Sequence, residues 1–138
     1  MTFTSGQLAS YVRGILHGDE NVQCQGASID SRECKQGNVF FALSGEFADG
    51  HQFIEAAIAN GCNAIVVDRE VSSSVPAIQV QDVRRALFDL ALNRRKALSL
   101  KKVIAVTGSV GKTTTKDMIA WMLGNEATKS PKSFNNDL

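Results

Sequence analysis

The chain of 138 residues contains no apolar stretch long enough to span a bilayer, and its N-terminus lacks the basic start and apolar core of a signal peptide. Membrane insertion is therefore not expected. An excess of one charge is missing too: 15 Lys and Arg against 14 Asp and Glu leave a formal charge of +1. Nothing in that balance points to nucleic acid or an anionic membrane as the main partner. Cysteine is scarce. Cys24, Cys34 and Cys62 are odd in number, widely spaced and without metal-ligand spacing. That excludes a disulfide framework and fits a reducing, cytoplasmic setting with three small semi-buried thiols. Internal repeats and low-complexity segments are also absent. What is left is a chain long enough for one good core, or for one domain and part of another.

The strongest positive signal is Val103-Ile104-Ala105-Val106-Thr107-Gly108-Ser109-Val110-Gly111-Lys112-Thr113-Thr114. The first four residues read as a strand buried on both faces. Gly108 and Gly111 let the backbone turn and present its N–H groups to an anion. Ser109 and Val110 fill the turn between them. Lys112 supplies a mobile positive charge for the β/γ-phosphates of a nucleotide. Thr113 offers a hydroxyl to Mg²⁺, and Thr114 continues into a helix whose N-terminal dipole favours the same anion. Val106 stands where the longer form of this loop has another glycine, so the motif is the shortened Thr-Gly-x-x-Gly-Lys-Thr-Thr. A helix over 112–123 follows from the stripe Met118, Ile119, Met122 and Leu123, with Gly124 as its stop. The competing reading is a structural glycine turn.

Upstream, helices and strands alternate. Thr4-Ser5-Gly6-Gln7 predicts a capping box opening a helix with Leu8, Tyr11, Val12 and Ile15 on one face. Strands are predicted at 27–29, 38–43, 64–67 and 77–80. A helix carrying Phe53, Ala56, Ala57 and Ile58 is expected from about Gln52 to Gly61. Asp82 is placed to cap a long helix through Leu98, with Val83, Leu87, Leu90, Ala91 and Leu98 as its seam. The expected fold class is α/β. Residues 1–99 form a small N-terminal domain, and residues 100–138 form the first strand–loop–helix unit of a nucleotide-binding domain. One such unit cannot bury a parallel strand on both faces, so this second domain is expected to be incomplete.

Two loops of the first part carry polar chemistry. Asp30-Ser31-Arg32 follows one predicted strand, and Gly45 with Asp49-Gly50-His51 follows the next. Arg32 can grip a phosphate or carboxylate with two bonds. The bland alternative is equally open on the residues alone: Asp30 and Ser31 make a turn, Arg32 is a solvated charge, and His51 caps a helix.

The order Asp-Ser-Arg, Phe-Phe-Ala-Leu-x-Gly, Asp-Gly-His-x-Phe, Gly-x-x-Ala-x-Val-Val and Thr-Gly-Ser-x-Gly-Lys-Thr-Thr-Thr-Lys resembles the opening of the Mur ligases of peptidoglycan synthesis. The resemblance covers essentially the whole chain. Lys116-Asp117-Met118 and Ser133-Phe134-Asn135-Asn136-Asp137 are most similar to the MurF-type branch, which shows Lys-Glu-Met and Asn-x-Asn-Asn-Asp/Glu there. Ser133 departs from the first asparagine of that pattern. The resemblance implies a three-domain ligase that uses ATP and Mg²⁺ to join D-alanyl-D-alanine to UDP-N-acetylmuramoyl tripeptide through an acyl phosphate. Residues 1–99 would then bind the UDP end of the precursor and residues 100–138 would open the ATPase. By the same resemblance, Gly108 to Thr114 hold ATP, Lys112 acts in catalysis and Thr113 touches Mg²⁺. Ser31, Arg32, Gly45, Asp49 and His51 face the UDP-sugar, and Phe134, Asn135 and Asn136 line the substrate side of the central domain. The further Mg²⁺ ligands, the adenine pocket and the third domain would lie beyond Leu138, so the chain alone is expected to be inactive. Two alternatives stay open: a non-catalytic module that binds the UDP-sugar peptide, and a MurE-type or folylpolyglutamate-synthase-type ligase. The second is disfavoured by Lys116-Asp117-Met118 and Asn135-Asn136.

Overall fold

A computed structural model describes residues 2–45, 48–98 and 102–130. The chain divides into two compact units, Met1–Leu98 and Ser99–Leu138.

The first unit begins with a two-residue strand, β1 (Phe3–Thr4), that turns directly into α1 (Ser5–Val12). The predicted capping box is present: Thr4 Oγ1 accepts from Gln7 N at 3.1 Å, and Gln7 Oε1 accepts from Thr4 N at 3.0 Å. The helix is shorter than its apolar spacing suggests. Arg13 takes a left-handed conformation (φ 56°), and Ile15 belongs to strand β2 (Ile15–His17) instead of the helix face. The cause is a close approach. A Cβ on Gly14 would lie 2.5 Å from the Ile78 side chain and 2.9 Å from the Gln79 carbonyl, so the chain leaves the helix to run beside a strand it nearly touches.

The sheet that follows holds β4 (Ala27–Ser28), β5 (Val39–Phe41), β6 (Ala64–Val67), β7 (Ala77–Gln79) and β2, in the order β2-β7-β6-β5-β4. β4 through β7 are parallel, and β2 joins the edge antiparallel to β7. A short strand, β3 (Gln23–Cys24), pairs with β1 apart from this sheet. α2 (Ile54–Ala59) connects β5 to β6, preceded by the 3₁₀ turn Gly50–Phe53 where the helix was expected to start.

Side chains alternate across the sheet and build a core on each face. Val39, Phe41, Ala64, Val66 and Ile78 pack with Leu8 and Val12 of α1 and with α3 (Val83–Ala97). Phe40, Ala42, Ile65 and Val67 pack with Ile54 and Ala57 of α2. Burial on both faces is why β5 and β6 read as continuous apolar runs. Asp82 caps α3 as expected, accepting from Arg85 N at 3.0 Å. Its buried seam is Val83, Ala86 and Leu90, with Leu87 half-buried; Ala91 and Leu98 are exposed. Toward its C-terminal end the helix still touches the N-terminal elements: Asn93 Nδ2 donates to the Tyr11 carbonyl at 3.2 Å, and the Arg94 guanidinium lies 5.7 Å from the centre of the Phe3 ring. Cys24, Cys34 and Cys62 are all reduced and buried. Burial pushes the Cys24 thiol up to about 11 and the Cys62 thiol up to about 12, which removes thiolate reactivity.

In the second unit, α4 spans Lys112–Leu123 and ends at Gly124 (φ 57°). Residues 103–106 do not form the predicted strand. They run without a pairing partner among the described residues, and Val103 and Ile104 are 60% and 52% exposed. A β-strand needs a neighbour for its N–H and C=O groups, and the described residues of this unit supply none. The apolar stripe of α4 is exposed as well, at Met118, Met122 and Leu123. No helix among the described residues is long and apolar enough to cross a membrane.

Candidate functional site

Parallel α/β sheets gather ligand-binding groups at the carboxyl ends of their strands, where loops leave for the next helix. In the first unit those ends are the segments after β4, β5 and β6, and they carry two polar clusters.

The first cluster follows β4. Asp30 caps the 3₁₀ turn Ser31–Glu33 by accepting from Arg32 N at 2.9 Å. The same carboxylate receives Arg32 Nε at 3.0 Å and Arg32 Nη2 at 2.6 Å. The Arg32 guanidinium beside it brings the Asp30 carboxyl down to about 2. The Arg32 side chain is 86% exposed, so the guanidinium is held by Asp30 along its Nε–Nη2 edge and is otherwise open to solvent. Ser31 is buried, and its carbonyl accepts from Asn60 Nδ2 at 2.9 Å, tying the turn to the end of α2.

The second cluster follows β5. Leaving the strand, the chain bends back so closely that a Cβ on Gly50 would lie 2.7 Å from both N and O of Leu43. Gly50 N donates to Leu43 O at 2.8 Å, and Gly45 N donates to Ala48 O at 2.9 Å. Only glycine permits that approach at position 50. Asp49, not His51, caps the following turn, accepting from His51 N at 3.0 Å. His51 is instead a buried residue, its side chain 5% exposed, with Nδ1 2.7 Å from Asp49 Oδ1. Ser44 Oγ lies 3.3 Å from the same oxygen, and the Arg69 guanidinium pairs with Asp49 Oδ2. Arg69 first, then the His51 backbone N–H and side chain, hold the Asp49 carboxyl well below the usual carboxylate range.

The structure thus brings Asp49 and His51 together directly and sets Ser31 and Arg32 on the neighbouring strand end. Asp68 and Arg69, at the carboxyl end of β6, belong to the same cluster and escaped the sequence reading. Their position immediately after Val67, the last residue of a buried strand, was the available signal.

Asp30 and Asp49 titrate lower in the folded chain than in the unfolded one. Each therefore contributes stability that is complete above the unfolded value of about 3.9 and is lost as pH falls through the folded value. The urea midpoint is expected to fall between about pH 4 and about pH 2, and Asp49→Asn is expected to flatten that fall. Equal slopes for wild type and Asp49→Asn in urea titrations across this window would remove Asp49 from the account.

In the second unit, Gly108 (φ 143°) and Gly111 (φ 80°) occupy backbone conformations that other residues avoid, and Gly111 leads directly into α4. Ser109 and Val110 lie between them, with Val110 91% exposed at the tip. Lys112 Nζ folds back and donates to Gly108 O at 2.5 Å. The first helical bond runs from Thr115 N to Gly111 O at 2.9 Å, which puts Lys112, Thr113 and Thr114 in the first turn, the part of a helix that attracts anions. A glycine turn opening a helix in this way is suited to an anion. Among the described residues no group of three His, Cys, Asp or Glu could hold a metal by itself. Phe134, Asn135 and Asn136 lie outside the described residues.

Residues 23–95 match the family model described as "Mur ligase family, catalytic domain". Among curated proteins, the chain is 42% identical over 139 residues to the UDP-N-acetylmuramoyl-tripeptide–D-alanyl-D-alanine ligase of Haemophilus influenzae, which covers 96% of this chain and 30% of that protein. It is 44% identical over 100 residues to the UDP-N-acetylmuramoyl-L-alanyl-D-glutamate–2,6-diaminopimelate ligase of Aquifex aeolicus, covering 72% of this chain and 21% of that protein. Among solved structures it is similar to the UDP-N-acetylmuramoylalanyl-D-glutamyl-2,6-diaminopimelate–D-alanyl-D-alanyl ligase of Acinetobacter baumannii. That similarity has a TM-score of 0.79 and 38% identity over 89% of this chain and 28% of that one. The chain covers 30% and 21% of the lengths of these two curated relatives.

Proposed function

The chain belongs to the Mur ligase family, and from that premise we propose that it supplies the precursor-binding domain and the phosphate loop of a cytoplasmic ligase that joins D-alanyl-D-alanine to UDP-N-acetylmuramoyl tripeptide. The observation that carries this reading is the presence, on one chain, of a glycine-fronted helix N-terminus with Lys112 and a polar cluster at the carboxyl edge of a parallel sheet. The first suits a nucleotide's phosphates, and the second suits a polar, anionic small molecule.

In this reading, Lys112 and the first-turn amides of α4 would hold the phosphates of ATP, and Thr113 would offer its hydroxyl to Mg²⁺, which would supply further positive charge there. The tripeptide's terminal carboxylate oxygen attacks the γ-phosphorus and ADP leaves. The amine of D-alanyl-D-alanine then attacks the acyl carbon, phosphate leaves, and the amine gives up a proton. Catalysis of this kind rests on positioned charge around the transferred group. Arg32, anchored by Asp30 along one edge, offers the rest of its guanidinium to the precursor's anionic groups, beside Ser31, Gly45, Asp49 and His51.

The diaminopimelate-adding branch is the second reading, favoured by the Aquifex relative's 44% identity. The D-alanyl-D-alanine-adding reading is preferred because the Haemophilus relative combines 42% identity with 96% of the chain, whereas diaminopimelate-adding relatives reach 44% identity over 72% of it and 33% over 89%. Calorimetric titration tests the first-unit assignment. Arg32→Ala is expected to weaken UDP-N-acetylmuramoyl tripeptide by about tenfold or more, the loss of a charge-assisted contact, and to leave ATP affinity unchanged. Wild-type affinity for the tripeptide in this variant would return Arg32 to a solvated surface charge. A preference of the wild-type chain for the dipeptide precursor over the tripeptide would favour the second reading.

A further inference from the structure

Two carboxylates converge on one buried imidazole where β5 and β6 end. His51 Nδ1 lies 2.7 Å from Asp49 Oδ1, and His51 Nε2 lies 3.2 Å from Asp68 Oδ1 without the geometry of a hydrogen bond. Two carboxylates at one ring concentrate negative charge where β5 and β6 end. The arrangement calls for another cation, and Arg69 is placed to serve. Its guanidinium pairs with Asp49 Oδ2, and its Nη1 lies 3.9 Å from Asp68 Oδ1. Asp49 in turn accepts from His51 N and sits beside Ser44 Oγ. One carboxylate therefore links the end of β6, the exit of β5 and the start of the next turn. A buried ring nitrogen without a hydrogen bond among the described residues calls for a reason.

We propose that Arg69 is a positioning residue for the precursor site: by holding Asp49 it fixes Ser44, the Asp49-Gly50-His51 turn and the His51 ring in the arrangement that receives the UDP-sugar peptide. The proposal rests on the ligase reading above and adds two residues to it, Asp68 and Arg69. Arg69 acts through Asp49, not by contact with the ligand. Its side chain is 53% exposed, so replacing it removes charge and leaves the core untouched.

The test uses the 138-residue chain with Arg69→Met and Arg69→Lys. Hydrogen exchange at the His51 amide reports the Asp49 cap. The Arg32 amide, capped in the same way by Asp30, is the internal reference for an intact fold. In Arg69→Met, the His51 amide is expected to exchange faster, the Arg32 amide to stay as in wild type, and calorimetric affinity for UDP-N-acetylmuramoyl tripeptide to drop by about tenfold, the size of effect seen when an outer partner of a binding group is removed. Arg69→Lys keeps the charge without the fork and is expected to recover part of that affinity. Unchanged His51 exchange in Arg69→Met overturns the proposal. So does faster exchange with unchanged affinity, which reduces the clasp to a structural role. A wild-type chain that does not bind the tripeptide precursor overturns the ligase reading itself, and is distinguished from the other failures because it appears before any substitution is made.

Discussion

Lys112→Ala is expected to cut turnover of a ligase containing this chain to less than about a tenth of wild type, a loss of at least ~1.4 kcal/mol of transition-state stabilisation. Lys112 opens α4 with its ammonium folded onto the Gly108 carbonyl, poised over the space the two glycines leave. Its charge would follow the phosphates as they separate, so its removal is felt more in the transition state than in the bound ground state. Lys112 is only half-buried and belongs to no apolar seam, so the unfolding midpoint should barely move. Steady-state kinetics and a thermal melt on the same preparation separate the two effects. A variant that keeps more than about a tenth of wild-type kcat would show that another group carries the phosphate charge.

The second large effect concerns stability. Phe40→Ala and Phe41→Ala are each expected to cost about 3–5 kcal/mol, as for other fully buried phenylalanines. Both side chains are essentially inaccessible, 1% and 0% exposed, though adjacent in sequence. Phe40 packs toward α2, and Phe41 packs toward α1 and α3. Because the sheet separates their cavities, the double variant should lose the sum of the two costs, near or beyond the total stability of a domain this size. Urea unfolding followed by far-ultraviolet circular dichroism measures the two single variants, and the double variant is expected to show a residual transition at low urea or none. A double variant much less destabilised than the sum would mean that the two faces share one cavity, contrary to the two-core packing.

How much of this was legible beforehand depended on how local the cause was. β6 and α4 fall on their predicted residues, and the caps at Thr4 and Asp82 form as read, because strand burial and capping leave their marks within a few residues. Ile15 was misplaced because the helix is ended by Gly14 pressing on Ile78, some sixty positions away, which no local spacing encodes. Residues 103–106 have the composition of a buried strand and no strand beside them among the described residues; composition states a preference, and pairing needs a partner. The Asp49 and His51 segment was legible as a polar loop following a strand. That His51 would be buried between Asp49 and Asp68 was not, since Asp68 arrives on a different strand and becomes a neighbour only through the β5–β6 pairing.

The edges of the main sheet have a consequence for solubility. An open strand edge recruits other chains in proportion to its length and flatness, and natural sheets keep such edges short. Here one edge is β4, two residues long, and the other is β2, three residues long and set antiparallel to its neighbour. Neither offers a run on which a foreign strand could grow. The first unit is thus guarded against edge-to-edge aggregation by the brevity of its outer strands. Val103–Val106 has no such guard: it is apolar and without a pairing partner among the described residues, and it is where intermolecular β-pairing of this chain would begin.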